Sequence, residues 1–129
     1  SDLFLYSDQI SIEIVYKVKS ALTNTILWLD VRKNNNVIFC TSDVDFDDSF
    51  SKNRNVGHYK TNVNIPGKLL SPGTYEIVIG INGYKPDIDY DRVEGISFRV
   101  GGLEESANPE FNMRGGVIKP IFHWIETKI

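Results

Sequence analysis

The sequence predicts an all-β protein, an immunoglobulin-like antiparallel β-sandwich of about seven to eight strands. Apolar residues recur at every second position through much of the 129 residues, which is the period of a strand with one buried face. Clusters of Gly, Pro, Asn and Asp interrupt these stretches at short intervals, as turns between strands do. No stretch keeps a helical period for more than two turns, so the patterns together favour two packed antiparallel sheets.

Six strands are predicted in chain order, after a short first strand within residues 3–6. Their ranges are 10–18, 25–31, 37–41, 57–65, 74–81 and 95–100. The alternation is clearest in 74–81, where Tyr75, Ile77 and Ile79 share one face. In an immunoglobulin-like arrangement these strands divide between two sheets. One sheet is expected to hold 25–31, 37–41, 74–81 and 95–100, and the other 3–6, 10–18 and 57–65.

The connections carry turn and linker signals, and residues 1–129 are interpreted as a single domain. Three asparagines at 34–36 predict a tight turn, because Asn tolerates the left-handed conformation. A loop is predicted over 82–91, and a polar, Gly-rich linker over 101–116. The last apolar segment, 117–125, contains a proline and is therefore expected to be an edge or crossing strand.

Composition and charge exclude several classes of protein. The net charge is −3 and the pI is near 5.3, which argues against nucleic acid as a partner because nucleic-acid-binding faces are basic. Cys40 is the single cysteine, so no internal disulfide is expected and a reducing compartment fits. No apolar run approaches the roughly 20 residues of a membrane-spanning helix, and no signal peptide is predicted. The chain begins without Met, and we expect it to be a piece of a longer protein.

The sequence carries no signature of catalysis. It lacks a phosphate-binding glycine loop and the nucleophile elbow of hydrolases. The two histidines, His58 and His123, lie far apart and form no zinc spacing with Cys40. Cys40 has no neighbouring base and is predicted to be an inert thiol. We therefore predict that the chain is not an enzyme and that it binds no cofactor.

Two acidic stretches, residues 42–50 and 85–91, suggest a calcium site. An EF-hand is excluded. Counted from Asp43, its sixth position is Asp48 where Gly is needed, and its twelfth is Arg54 where Glu is needed. Both stretches are nevertheless predicted to be loops at the same pole of the sandwich. A calcium-dependent C2-like or lectin-like module therefore remains an alternative, and its ligands would be Asp43, Asp45, Asp87 and Asp89. The other interpretation is that these aspartates are solvated turn residues, since Asp is favoured in turns.

An aromatic side chain on a sheet face predicts a platform for sugar. Trp28 is expected to point outward, and an indole presents a flat apolar surface with one hydrogen-bond donor. Polar side chains on the same face would bind the sugar hydroxyls. The predicted carbohydrate-binding residues are Trp28, Asp30, Glu76, Val78, Ser97 and Arg99. The alternative is that Trp28 is covered by the terminal segment or by a partner subunit.

Four segments resemble a known family. They read "NTILWLDVRKNNNVIFCTSD", "GHYKTNVNIPGKLLSPGTYEIVIGI", "DYDRVEGISFRVGG" and "GGVIKPIFHW". The most specific motifs are Pro72 and Gly73 with Tyr75, Phe98 with Val100, and Gly116 with Pro120 and Trp124. In these motifs the chain is similar to the C-terminal domain of Wzt, the ATP-binding component of ABC transporters that export O-antigen polysaccharide. It departs from the family pattern at 34–36, where Gly is frequent, and in the acidic stretches.

The resemblance implies a β-sandwich that binds carbohydrate without catalysis. It implies recognition of the modified non-reducing terminus of an O-antigen-type polysaccharide, coupled to export. The implied partners are this polysaccharide terminus, the nucleotide-binding domain and membrane subunit of the transporter, and a second copy that exchanges residues 117–125. The implied location is the cytoplasm, at the inner face of the inner membrane. A purely structural dimerisation domain is the remaining alternative.

Overall fold

The computed structural model describes residues 2–46 and 53–101 of the chain. These residues form seven strands and one four-residue helix, so the all-β prediction is confirmed. The elements are β1 (Asp2–Phe4), β2 (Ile10–Val18), β3 (Thr25–Lys33), β4 (Asn36–Ser42), α1 (Asp43–Phe46), β5 (Gly57–Ile65), β6 (Gly73–Gly83) and β7 (Ile88–Val100). Apart from Gly101, the predicted linker 101–116 and terminal strand 117–125 lie outside the described residues.

The strands form two sheets that pack as a β-sandwich. A five-stranded sheet has the order β1-β7-β6-β3-β4, and β2 pairs with β5 in a two-stranded sheet. The pairs β2–β5, β3–β4, β3–β6 and β6–β7 are antiparallel. The sequence therefore assigned these six strands to the correct sheets. Within the part of the chain that the structure describes, no helix is long and apolar enough to cross a membrane.

The first strand joins the opposite sheet from the one predicted. β1 pairs in parallel with the end of β7, with Phe4 opposite Val100, so the larger sheet is mixed rather than wholly antiparallel. The ring of Phe4 packs edge to face against Phe98 with centroids 6.0 Å apart, and Gly101 N donates to Phe4 O at 2.7 Å. A strand of three residues has too little alternation to select a sheet, so contacts with β7 decide its position.

The core lies between the sheets and is built from the inward faces that the alternation predicted. Its buried strand residues include Ile10, Ile14, Leu27, Leu29, Val31, Ile65, Tyr75, Ile77, Phe98 and Val100. Tyr75 is fully buried, and its ring stacks on Phe98 with centroids 5.4 Å apart. Its hydroxyl donates to Ser71 O at 2.6 Å. This bond to a backbone carbonyl just upstream closes the corner that leads into β6, as in immunoglobulin-like sandwiches.

The tight turn between β3 and β4 is where the sequence placed it. Asn34 and Asn35 separate the two strands and have positive φ angles of 52° and 64°. Asn adopts this left-handed conformation more readily than most residues. Two such residues in succession close an antiparallel hairpin whose twist matches that of its strands.

The prediction of a loop over 82–91 is wrong in part, because β6 and β7 both extend into this range. β6 continues to Gly83 and β7 begins at Ile88. Asp89 and Asp91 are therefore strand residues that pair with β6. Every position from Ile88 to Ser97 is exposed, so this half of β7 has no buried face. Without a buried face it lacks the alternation by which a strand is recognised in sequence.

A buried arginine connects the two sheets at one end of the sandwich. Arg54 is 4% exposed and lies in the connection between α1 and β5. Its Nε donates to Thr25 Oγ1 of β3 at 2.6 Å, and its Nη1 donates to the Tyr16 hydroxyl of β2 at 3.1 Å. Its Nη2 donates to Asp43 Oδ2 at 2.7 Å. Asp43 Oδ1 accepts a hydrogen bond from Leu27 N at 3.2 Å, so the network reaches β2, β3 and the segment that follows β4.

Arg54→Met is expected to lower the free energy of unfolding by about 3–5 kcal/mol, because it leaves the carboxylate of Asp43 largely buried without its partner. Urea unfolding of the wild type and the variant measures the loss. The double variant Arg54→Met/Asp43→Asn removes both charges and should recover part of it. Equal losses in the single and double variants would show that the unpaired carboxylate is not the cause.

Candidate functional site

All six predicted carbohydrate-binding residues lie on the outer face, defined as the side of the five-stranded sheet that points away from β2 and β5. Directly paired residues point to the same side of a sheet, and so do residues two positions apart on one strand. The pairs on this side are Trp28 with Gly80, Asp30 with Val78, Glu76 with Ser97, and Thr74 with Arg99. From Gly80 to Thr74 the face extends for about 20 Å. The six residues therefore form an elongated strip rather than a compact pocket.

The indole of Trp28 is half-buried and contacts three residues that are not among the six predicted carbohydrate-binding residues. Its Nε1 donates to Asn82 Oδ1 at 3.0 Å. The ring lies over Gly80, where a Cβ atom would overlap the indole. The Cζ atom of Arg92 is 5.7 Å from the ring centroid, which is a cation–π distance. The aromatic surface is thus oriented by the protein itself.

One of these three residues was detectable in the sequence. A glycine inside a strand is a sign that another group approaches the backbone closely, and Gly80 interrupts an otherwise apolar strand. Asn82 and Arg92 carry no such sign, because they become neighbours of Trp28 only when β6 pairs with β3 and β7.

Asp30 and Val78 are more enclosed than residues of an open sheet face. They are 7% and 4% exposed. Asp30 Oδ2 accepts hydrogen bonds from Arg32 Nη2 at 2.8 Å and from Arg32 Nε at 3.3 Å. Its charge is therefore compensated within the protein. Asp30 acts here as an anchor for Arg32, and Val78 provides an apolar position beside it.

The other three predicted residues are exposed. Glu76 and Ser97 are direct neighbours on β6 and β7, and Arg99 lies further along β7, opposite Leu3 of β1. Among the described residues, no ion pair involves Glu76 or Arg99. A carboxylate, a hydroxyl and a guanidinium therefore face solvent on this part of the strip.

The thiol of Cys40 lies beside Asp30, its direct partner on β3. Its pKa is raised from 9.0 to about 11. The main cause is burial, which disfavours the thiolate, and the hydrogen bond with Asp30 and the negative charge of Asp30 add to it. A raised pKa keeps the thiol protonated at neutral pH, and a protonated thiol is a poor nucleophile.

The four aspartates of the calcium alternative do not meet at one point. Asp43 is bound by the buried arginine, and Asp45 Oδ2 accepts a hydrogen bond from Ser42 N at 3.2 Å. Asp87 directly precedes β7 and Asp89 lies near its start, and three strand spacings separate β7 from β4, a distance of about 14 Å. Among residues 2–46 and 53–101, no group of three or more His, Cys, Asp or Glu side chains is placed to hold a metal ion.

A cleft of about 350 Å³ opens between the edges of β4 and β5. Its floor is apolar and its rim is polar. The floor includes Ile14, Leu27, Leu29 and Val63, and the rim includes Ser42 and Asn62. Its volume is typical of a small-molecule site. The sequence alone does not reveal this cleft, because its walls come from four strands of two different sheets that meet only in the folded protein.

Comparison with known proteins identifies the fold. No protein-family model matches the sequence, and no curated protein matches it. Among solved structures, the C-terminal domain of Wzt matches with a TM-score of 0.69, over 97% of this chain and 73% of that chain. This chain has the fold of the Wzt C-terminal domain. The two sequences are 11% identical, so the comparison confirms the resemblance at the level of the fold.

On this Wzt C-terminal fold, the strip and the cleft lie on opposite sides of the larger sheet. The strip is on the outer face, whereas the cleft is lined by the inward residues Leu27 and Leu29 and by residues of β2 and β5. Trp28 and Ser42, which pair across β3 and β4, line the cleft as well. The two surfaces are therefore separate candidate sites that adjoin the same segment of β3.

Asp30→Asn is expected to make Cys40 more reactive. The substitution removes the negative charge that helps to raise the pKa of the thiol, so more thiolate forms at alkaline pH. The rate of alkylation by iodoacetamide at alkaline pH should rise several-fold. Glu76→Gln removes a different carboxylate of the outer face and should leave the rate unchanged. An unchanged rate in Asp30→Asn would show that the two side chains are not coupled.

Proposed function

We propose that this chain is a non-catalytic carbohydrate-binding domain that recognises the modified non-reducing terminus of an O-antigen-type polysaccharide and couples it to export by an ABC transporter. The observation that carries the proposal is the match to the C-terminal domain of Wzt over 97% of this chain. The outer face supports it independently, because it presents an oriented indole next to exposed polar groups.

The strip suits a saccharide in chemical terms. The C–H face of a sugar ring stacks on the indole of Trp28, which Asn82 and Gly80 already hold in one orientation. The sugar takes the place of the Arg92 guanidinium that lies over the ring. Glu76 and Ser97 lie along the strip and bind hydroxyl groups of the following sugar units. Recognition of this kind needs stacking and hydrogen bonds, and no bond of the ligand is broken.

The remaining partners follow from the transporter role. The nucleotide-binding domain would supply the energy of export, and the membrane subunit would provide the path. The domain would act in the cytoplasm, at the inner face of the inner membrane. There the bound terminus reports that the glycan is complete.

We also propose that two copies associate by exchanging residues 117–125. The edge of β7 that faces away from β6 supports this, because among residues 2–46 and 53–101 only β1 pairs with it, at the last three residues of β7. On the rest of the strand, Val93 and Ile96 are 48% and 39% exposed. An unpaired edge with exposed apolar side chains is a template for a further strand. The segment 117–125 has nine residues, close in length to residues 88–97 of β7, which do not pair with β1.

Trp28→Ala is expected to weaken glycan binding about 30-fold or more, because the aromatic anchor of a binding surface contributes about 2 kcal/mol or more. Titration calorimetry with the end-modified polysaccharide measures the affinity of the wild type and of the variant. The wild type should bind the same polysaccharide without its terminal modification more weakly than it binds the end-modified form. Val15→Ala removes an exposed apolar side chain from the other sheet and should not change affinity. Undiminished binding by Trp28→Ala would remove the strip from the proposal.

Removal of residues 117–129 is expected to convert a dimer into a monomer. The chain that ends at residue 116 lacks the exchanged segment, whereas a chain that ends at residue 125 keeps it. Sedimentation velocity should show a dimer for the full chain and for the longer truncation, and a monomer for the shorter one. A dimer in all three chains would contradict the exchange.

A further inference from the structure

The outward side of the two-stranded sheet, here called the basic face, carries a cluster of positive charge. It consists of the outward side chains of β2 and β5 and of the residue that follows Val18. Its basic members are Lys17, Lys19, His58 and Lys60, all of them exposed. Three lysines stand there against a single acid, Glu13. The face is therefore positive although the whole chain has a net charge of −3.

Lys17 and Lys60 lie close together on this face. Lys17 is directly opposite His58, and Lys60 is opposite Val15, one diagonal step from Lys17. Such diagonal positions are about 7–8 Å apart. The three ion pairs found among the described residues include none of these lysines. Two like charges at this distance raise the local positive potential, and an anionic partner that covers the face would lower it.

The composition of the face indicates which kind of anion fits it. It contains lysines and no arginine, and lysine is a point charge on a flexible stem, whereas arginine binds one carboxylate or phosphate in a fixed geometry. Val15 is 67% exposed and lies in the middle of the face. Flexible charges around an apolar side chain suit a laterally fluid, evenly charged surface better than a single shaped ligand.

We propose that the basic face docks the domain on a membrane surface rich in anionic phospholipid headgroups. The inference rests on the proposed function in that this function places the domain beside a membrane. Each lysine at such a surface strengthens binding about five-fold, so the three together supply on the order of 100-fold. This is weak for a free protein, but it is enough to orient a domain that its transporter already holds nearby. The docked domain turns its outer face, with Trp28, away from the membrane and toward the glycan.

Co-sedimentation of the full chain with vesicles tests the proposal. One set of vesicles contains phosphatidylcholine alone, and the other contains phosphatidylcholine and phosphatidylglycerol in equal amounts. We expect binding to the second set only, and weaker binding as salt is added. Lys17→Ala/Lys60→Ala should lower the partition coefficient about 25-fold. An equal affinity for both sets of vesicles overturns the proposal.

The matched control removes two lysines from elsewhere on the chain. Lys68 and Lys85 have φ angles of 63° and 56°, which Asn tolerates. Lys68→Asn/Lys85→Asn therefore lowers the net charge by the same amount as Lys17→Ala/Lys60→Ala, without backbone strain. Its partition coefficient should equal that of the wild type. A loss as large as that of the basic-face variant would mean that net charge, and not this face, drives binding. Binding of soluble polyglutamate through Lys17 and Lys60 without vesicle binding would assign the face to an acidic polypeptide and overturn the membrane proposal.

The two proposals fail separately. Lys17→Ala/Lys60→Ala leaves the outer face intact, so it should bind the end-modified polysaccharide as the wild type does. Vesicle binding without glycan binding in the wild type would overturn the glycan proposal alone. Glycan binding without a preference for anionic vesicles would overturn the docking proposal alone.

Discussion

The charge of Arg54 is buried, and a buried guanidinium is stable only when its N–H groups and its charge find partners. Arg54 finds them on Tyr16 of β2, on Thr25 of β3 and on Asp43, so one side chain holds the two sheets at a fixed distance at this end. Asp43 in turn accepts a hydrogen bond from Leu27 N. The same network therefore contacts the backbone of β3 directly before Trp28, the aromatic end of the strip.

The unequal size of the two sheets explains where the candidate binding surfaces lie. Two strands oppose five, so the smaller sheet leaves part of the larger one uncovered. On one side the first half of β7 is exposed along its length, and no strand of the described part of the chain pairs with its outer edge. On the other side the edges of β4 and β5 enclose a cleft. The outward faces of the two sheets have different chemistry, one with an oriented indole and one with clustered lysines.

The candidate site was predictable as a face but not as a set of contacts. Alternation along β3 shows from the sequence that Trp28 and Asp30 share the side opposite Leu29, because side chains of a strand alternate. It does not show that Asn82 fixes the indole or that Arg92 lies beside it, since these contacts join residues more than fifty positions apart. Nor does it show that the predicted sugar ligand Asp30 pairs with Arg32.

The sequence by itself determined the all-β class, six of the strands and their sheets, and the tight turn at Asn34 and Asn35. These features depend on local periodicity and on backbone preferences that each residue carries into any context. The tertiary structure alone decided the sheet that β1 joins, the full length of β7, the burial of Arg54 and the presence of the cleft. Each of these depends on which distant strands become neighbours, and a fully exposed or very short strand leaves no periodic trace of its neighbours in the sequence.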